Sequence, residues 1–193
     1  MKKLFALLLT CVMLLSLAAC GARDLDAPAG YKQASSDEYC DYVLYVPSAW
    51  NTESVKSNLT TASVPVGDSR VTVGVARLEA RYDIDKNADG NVSVDEYWES
   101  CKADYAYLTK HTLDDAKGEK VTLGAAWGKD GKTSTGFRYT FAGEYRGTSY
   151  SFAQVFALNG GDLYCITLTV KTAHYTDDTI KMFGDILSYF QFK

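Results

Sequence analysis

Between positions 85 and 96 the chain sets an oxygen-bearing side chain at nearly every second residue: Asp85, Asn87, Asp89, Asn91 and Ser93, closed by Glu96. Such spacing suits calcium, a hard cation that takes six to eight oxygen ligands. Asp85, Asn87 and Asp89 would supply side-chain oxygens, Asn91 its backbone carbonyl, Ser93 a hydroxyl or a bridging water, and Glu96 both carboxylate oxygens. Gly90 takes the sharp turn, and Val92 is the apolar residue that would pin the loop. Without a cation, Asp85, Asp89, Asp95 and Glu96 would repel one another.

The run fits the EF-hand loop pattern at each diagnostic position. A purely structural reading also stands: Asn87 to Asn91 form a polar turn, and Ser93 with Glu96 frames a helix start as a capping box. Val71 to Leu78, ahead of the loop, alternates like a strand instead of entering as a helix, and no second loop exists to pair with it. Solitary loops of this kind resemble those of some extracellular bacterial proteins, where the ion is structural.

Cys20 offers different chemistry. Lys2 and Lys3 precede an apolar run from Leu4 to Leu17, which is too short to span hydrocarbon and ends in Leu17-Ala18-Ala19-Cys20. This is a secretory signal, and its end resembles the bacterial lipobox. The resemblance implies cleavage after residue 19, a diacylglycerol lipid on the Cys20 sulfur, and a mature protein outside the cytoplasm, anchored to the cell membrane. Two or more acyl chains are needed for stable anchoring, and a lipidated cysteine provides them. Residues 20–30 then read as the lipidated cysteine and a tether reaching at most about 35 Å, so the domain sits close to the membrane. Residues 31–193 form one α+β domain.

Without the leader's two lysines the chain is acidic, with a net charge of about −6. That balance argues against nucleic acid, whose binding rests on cationic contacts to phosphate. Cys40, Cys101 and Cys165 remain once Cys11 leaves and Cys20 is modified. They are either one disulfide plus a free thiol or three separate thiols, since spacing does not fix pairing. His111 and His174 stand beside expected helix ends, where capping or solvation accounts for them. No G-x-S-x-G elbow, HExxH or P-loop is present, so the chain is expected not to be an enzyme. A hydrolase site assembled from non-adjacent residues is the remaining catalytic alternative.

The elements that must hold these groups follow from periodicity. Tyr42 to Val46 is a short strand stopped by Pro47, followed by strands near Thr60 to Val66 and Val71 to Ala76. Val94, Tyr97, Trp98, Cys101, Tyr105 and Leu108 make one stripe of a helix about four turns long. Strands are expected at Lys120 to Trp127, Gly136 to Ala142 and Thr148 to Leu158, with a turn at Gly143-Glu144. Asn159-Gly160-Gly161 is a hairpin turn leading into a strand with Tyr164, Ile166, Leu168 and Val170 on one face. A last helix starts near Thr176 and buries Ile180, Phe183, Leu187 and Phe190. The fold class is α+β, an antiparallel sheet of six or seven strands flanked by two helices.

The order of Pro47-Ser48-Ala49-Trp50, Ser93-Val94-Asp95-Glu96-Tyr97, the Tyr-rich meander from Phe137 to Val170, and Ile186-Leu187-Ser188-Tyr189-Phe190 resembles the PsbP-like domain. The resemblance spans nearly the whole mature chain. It implies a central antiparallel sheet flanked by helices, used in known members for non-catalytic binding, such as stabilising a metal cluster on a partner complex or binding a small GTPase. The family has no shared active-site motif, so no residue role carries over. The expected function is a non-catalytic binding or accessory module of the cell envelope, with an envelope protein as partner. The alternative is a small-molecule or glycan-binding lipoprotein, in which Tyr139, Tyr145, Tyr150 and Tyr164 could stack on sugars if exposed. Tyrosines in strands more often pack half-buried.

Overall fold

The computed structural model describes residues 27–55, 59–78, 94–113, 116, 118–126 and 132–193. Its strands are β1 (Tyr31–Gln33), β2 (Tyr42–Val43), β3 (Tyr45–Pro47), β4 (Asn51–Val55), β5 (Leu59–Val66), β6 (Ser69–Leu78), β7 (Glu119–Leu123), β8 (Ser134–Tyr145), β9 (Thr148–Asn159), β10 (Asp162–Lys171) and β11 (Gln191–Phe192). Two α-helices are described, α1 (Val94–Asp104) and α2 (Asp177–Ser188). Seven strands form one antiparallel sheet in the order β4-β5-β6-β10-β9-β8-β7, and β1-β3 and β11-β2 are two-stranded ribbons. The class is α+β, as the sequence implies. No described helix is long and apolar enough to cross a membrane.

The strand period of two sorts the core into two layers. On β10, Tyr164, Ile166, Leu168 and Val170 join Val71, Val73 and Val75 of β6 in a core that takes Phe183, Ile186 and Leu187 from α2. The opposite face sends Leu163, Cys165, Phe156, Tyr139 and Phe141 under Val94, Tyr97, Trp98 and Cys101 of α1. The helices therefore lie on opposite faces of the sheet, and β9 and β10 are covered on both.

Local chemistry explains most boundaries. Gly160 and Gly161 turn the β9–β10 hairpin with φ of 60° and 89°, as Asn159-Gly160-Gly161 predicts. Thr176 caps α2, its hydroxyl accepting from the Thr179 backbone N–H at 3.4 Å, and Asp177 and Asp178 occupy the electropositive first turn. Phe190 is buried, but lies beyond the helix.

Four expectations need correction. The stripe through Leu108 is not one helix: α1 ends at Asp104, and a 3₁₀ turn over Tyr105–Tyr107 swings the Tyr105 ring to 5.1 Å from Phe141 while Leu108 stays buried. Tyr42 to Val46 is broken at Leu44, because β2 pairs with β11 while β3 pairs with β1, and the Leu44 carbonyl accepts from the Ala34 N–H. Gly143-Glu144 is not the β8–β9 turn. Gly143 lies within β8, where an added Cβ would meet the Leu108 side chain at 3.0 Å, and the turn falls at Arg146 and Gly147, both at positive φ. The expected strand from Lys120 ends at Leu123, where Gly124 at φ 73° turns the chain and donates to the Leu187 carbonyl; Trp127 lies outside the described residues.

Cys40, Cys101 and Cys165 are all free and buried, which matches the three-thiol alternative. His174 closes a 3₁₀ turn ahead of α2, its carbonyl accepting from the Thr179 hydroxyl, and His111 is exposed.

Candidate functional site

Large aromatic side chains fix where α1 lies. Trp98 stacks on Tyr139 with ring centroids 4.4 Å apart, Tyr97 meets Phe156 edge-on at 5.2 Å, and the Tyr139 hydroxyl donates to Asp95 Oδ1 at 2.7 Å. These contacts hold α1 over β8, β9 and β10. On the same face, β5 and β6 carry small residues that are only partly covered: Ser63, Thr72, Gly74 and Ala76. Where the covered half meets the uncovered half, the short side chains leave a cleft of about 260 Å³.

Gly74, Ala76 and Leu78 floor the cleft from β6, with Leu59 at its β5 side. Tyr97, Cys101 and Tyr105 wall it from the α1 side, and Gln154, Phe156, Cys165 and Thr167 close it from β9 and β10. None of these described residues carries a formal charge at neutral pH. Concave, mostly apolar sites with a few placed polar groups are how proteins hold small ligands, and this one lies just below the usual size range of about 300 to 1,000 Å³.

Its polar groups are Gln154, Thr167, the Tyr97 and Tyr105 hydroxyls and the two thiols, with Tyr97 bonded to Cys101. Gln154 is 8% exposed, and its Oε1 accepts from the Tyr105 hydroxyl at 2.6 Å. Among the described residues no hydrogen bond engages the Gln154 Nε2, which is not sealed from solvent. Burial holds the Tyr105 phenol far above its ordinary pKa, so it stays a donor. Burial also raises Cys101 and pushes Cys165, which lies 3.3 Å from the Thr167 hydroxyl, up to about 12. Both are therefore protonated thiols, poor nucleophiles and weak hydrogen-bonding groups.

Of the six expected calcium ligands, Asp85, Asn87, Asp89, Asn91 and Ser93 lie outside the described residues, as does Cys20. Glu96 is described and stands exposed in the first turn of α1. Its neighbour Asp95 is tied to Tyr139, a structural role that the acidic spacing did not reveal. No group of three or more His, Cys, Asp or Glu side chains able to hold a metal occurs among the described residues. Of the four tyrosines considered for stacking, Tyr139 and Tyr164 are buried, Tyr150 is half-buried, and Tyr145 is exposed beside Tyr107, their rings 5.8 Å apart and edge-on. The signal that marks Gln154 in the sequence is its place as the lone amide in an apolar strand from Phe152 to Leu158.

No protein-family model matches the chain, and no curated protein matches it. Solved structures do. The chain is similar to LpqN, involved in cell envelope biogenesis of Mycobacterium tuberculosis, at 12% identity over 83% of this chain and 89% of that one, with a TM-score of 0.48. It is similar to the cyanobacterial PsbP, CyanoP, of Synechocystis at 14% identity over 90% and 99%, with a TM-score of 0.47. A Pseudomonas aeruginosa protein of unknown function, PA94, is similar at 14% identity over 81% and 95%, with a TM-score of 0.45. No residue role or activity passes from these proteins to the chain.

Proposed function

We propose that the chain is a PsbP-like, membrane-tethered binding module that works outside the cytoplasm without catalysis, and that the cleft beside α1 is its binding site. The cleft carries the binding reading: it combines an apolar wall with a few placed polar groups. The lipobox-like Leu17-Ala18-Ala19-Cys20 supports a lipid anchor on Cys20, which would keep the domain near the membrane and next to envelope proteins.

Calcium fits as a stabilising ion. The Asp85 to Ser93 spacing supports it, and Glu96, the last ligand of such a loop, stands in the first turn of α1. Its role would be to order the crossover between β6 and α1.

Native mass spectrometry of the protein released from its own membranes tests the binding reading. A bound small molecule is expected in the unaltered protein and absent from Ala76→Phe, whose ring would fill the cleft floor. A protein that carries no added mass and leaves every offered probe unbound would overturn it.

A further inference from the structure

The chemistry of the cleft selects among ligands. Gln154 is nine-tenths buried, and its amide is oriented from one side only, because Tyr105 donates to Oε1 and leaves Nε2 without a described partner. Nε2 still reaches solvent in the open cleft, but a ligand that fills the cleft displaces that water, and leaving the donor unpaired then costs about 1–3 kcal/mol, so a ligand that brings an acceptor to it is favoured over one that does not. The Thr167 hydroxyl is engaged with the Cys165 sulfur and the Tyr97 hydroxyl with Cys101, and both thiols are weak donors, so the Gln154 amide is the strong donor of the walls that keeps a hydrogen to offer. With no charged residue among the described lining, an ionised ligand would shed its water and find no counter-charge. The volume admits a compact ring system and excludes a whole lipid.

We infer that the cleft takes a compact, neutral, largely apolar molecule bearing one carbonyl-type acceptor, which receives a hydrogen bond from the Gln154 amide. This specificity rests on the binding reading above. Cys101 and Cys165 contribute soft, polarisable walls, while Tyr97 and Phe156 face the apolar body of the ligand.

Three probes of matched size separate the contributions: methyl naphthyl ketone, ethylnaphthalene, which lacks the acceptor, and naphthoate, which is charged. Each is titrated into the full protein in lipid nanodiscs, with empty nanodiscs correcting for partition, and binding is read from the methyl NMR signals of Leu59, Ala76 and Leu78. The ketone is expected to bind about five-fold tighter than ethylnaphthalene, and naphthoate at least about ten-fold weaker than the ketone. Gln154→Met should erase the ketone's advantage while ethylnaphthalene still binds, and Tyr105→Phe, which frees the amide to rotate, should reduce it. Equal affinity for ketone and hydrocarbon would overturn the acceptor specificity and leave the binding reading intact. Silence from all three probes would count against both.

Discussion

The Tyr139 hydroxyl reaches 2.7 Å to the Asp95 carboxylate, so the first turn of α1 is pinned to the middle of β8 by a charged acceptor. The same Tyr139 ring carries Trp98 at 4.4 Å. One residue thus sets both the register and the height of the helix that walls the cleft. Tyr139→Phe keeps the stacking and loses the bond, and should cost about 1 kcal/mol in urea unfolding; adding Asp95→Ala should then cost little more. Trp98→Ala removes the packing itself and should cost about 3–5 kcal/mol. Equal losses for Tyr139→Phe and Trp98→Ala would show that packing is not what holds α1.

Alkali should unfold the protein. Burial is the largest cause raising the pKa values of Tyr42, Tyr105, Tyr139 and Tyr164 above the ordinary 10.0; Asp95 and Asp41 add to it for Tyr139 and Tyr164. In the unfolded chain these phenols lose their protons near pH 10.0, whereas the fold keeps them protonated. Above that pH the unfolded state binds fewer protons than the native state, so stability present below it is lost as pH rises. Urea melts between pH 8 and 12, read with phenolate absorbance, should show a falling midpoint, with the share of phenolate absorbance due to the four buried tyrosines appearing only on unfolding. A midpoint that stays level would remove the buried-phenol account.

Calcium should raise the melting temperature. At ten times its dissociation constant a single ion adds about 1.4 kcal/mol, and extracellular modules work near 10⁻⁴ to 10⁻³ M. Millimolar calcium is therefore the range to scan in the full protein. Asp85→Ala with Glu96→Ala should abolish the response, and an unaltered protein whose melt ignores calcium would end the proposal.

The three thiols should react in a fixed order. Desolvation opposes ionisation of Cys40, but bonds from Ser54, Thr60 and Tyr42 outweigh it and lower its pKa, while burial raises Cys101 and Cys165. Timed alkylation of the native protein, followed by peptide mass spectrometry, should label Cys40 first and Cys165 last. Early labelling of Cys165 would mean that the cleft wall opens far more often than its packing implies. Denatured protein should yield all three as free thiols without reductant.

Gly143→Ala tests why a glycine stands inside β8. A methyl group there would meet Leu108 Cβ at 3.0 Å, so overpacking of about 1–3 kcal/mol is expected, without change in the hairpin turn. A stabilised variant would show that Leu108 moves aside freely.

That glycine also shows what was legible in the chain. Alternation of Tyr164 to Val170 and the 3.6-residue stripe of α2 are local signals, and both survive folding. Gly143 carries the composition of a turn, yet its reason is a residue 35 positions away, which no local pattern contains. The split at Leu44 is hidden for the same reason, since β1 and β11 each claim one half of the run. The cleft was the hardest to see, because its floor is made by what Gly74 and Ala76 lack. Tyr105 reads as one more residue of a helical stripe; its hydroxyl meets Gln154 where the helix tightens to a 3₁₀ turn.

The ribbon of β2 and β11 joins Tyr42 to Phe192 across nearly the whole domain, and Tyr42 stacks on Phe190 at 5.5 Å. Such distant pairing makes closure of the core a late event, because the entropy of a long loop is lost before its contacts form. Until residues 190–192 arrive, Tyr42 lacks its aromatic lid and β2 is an open edge. If the proposed leader threads the chain through a membrane, the domain would thus remain unclosed for almost its entire passage, a state suited to export and exposed to proteases on the far side.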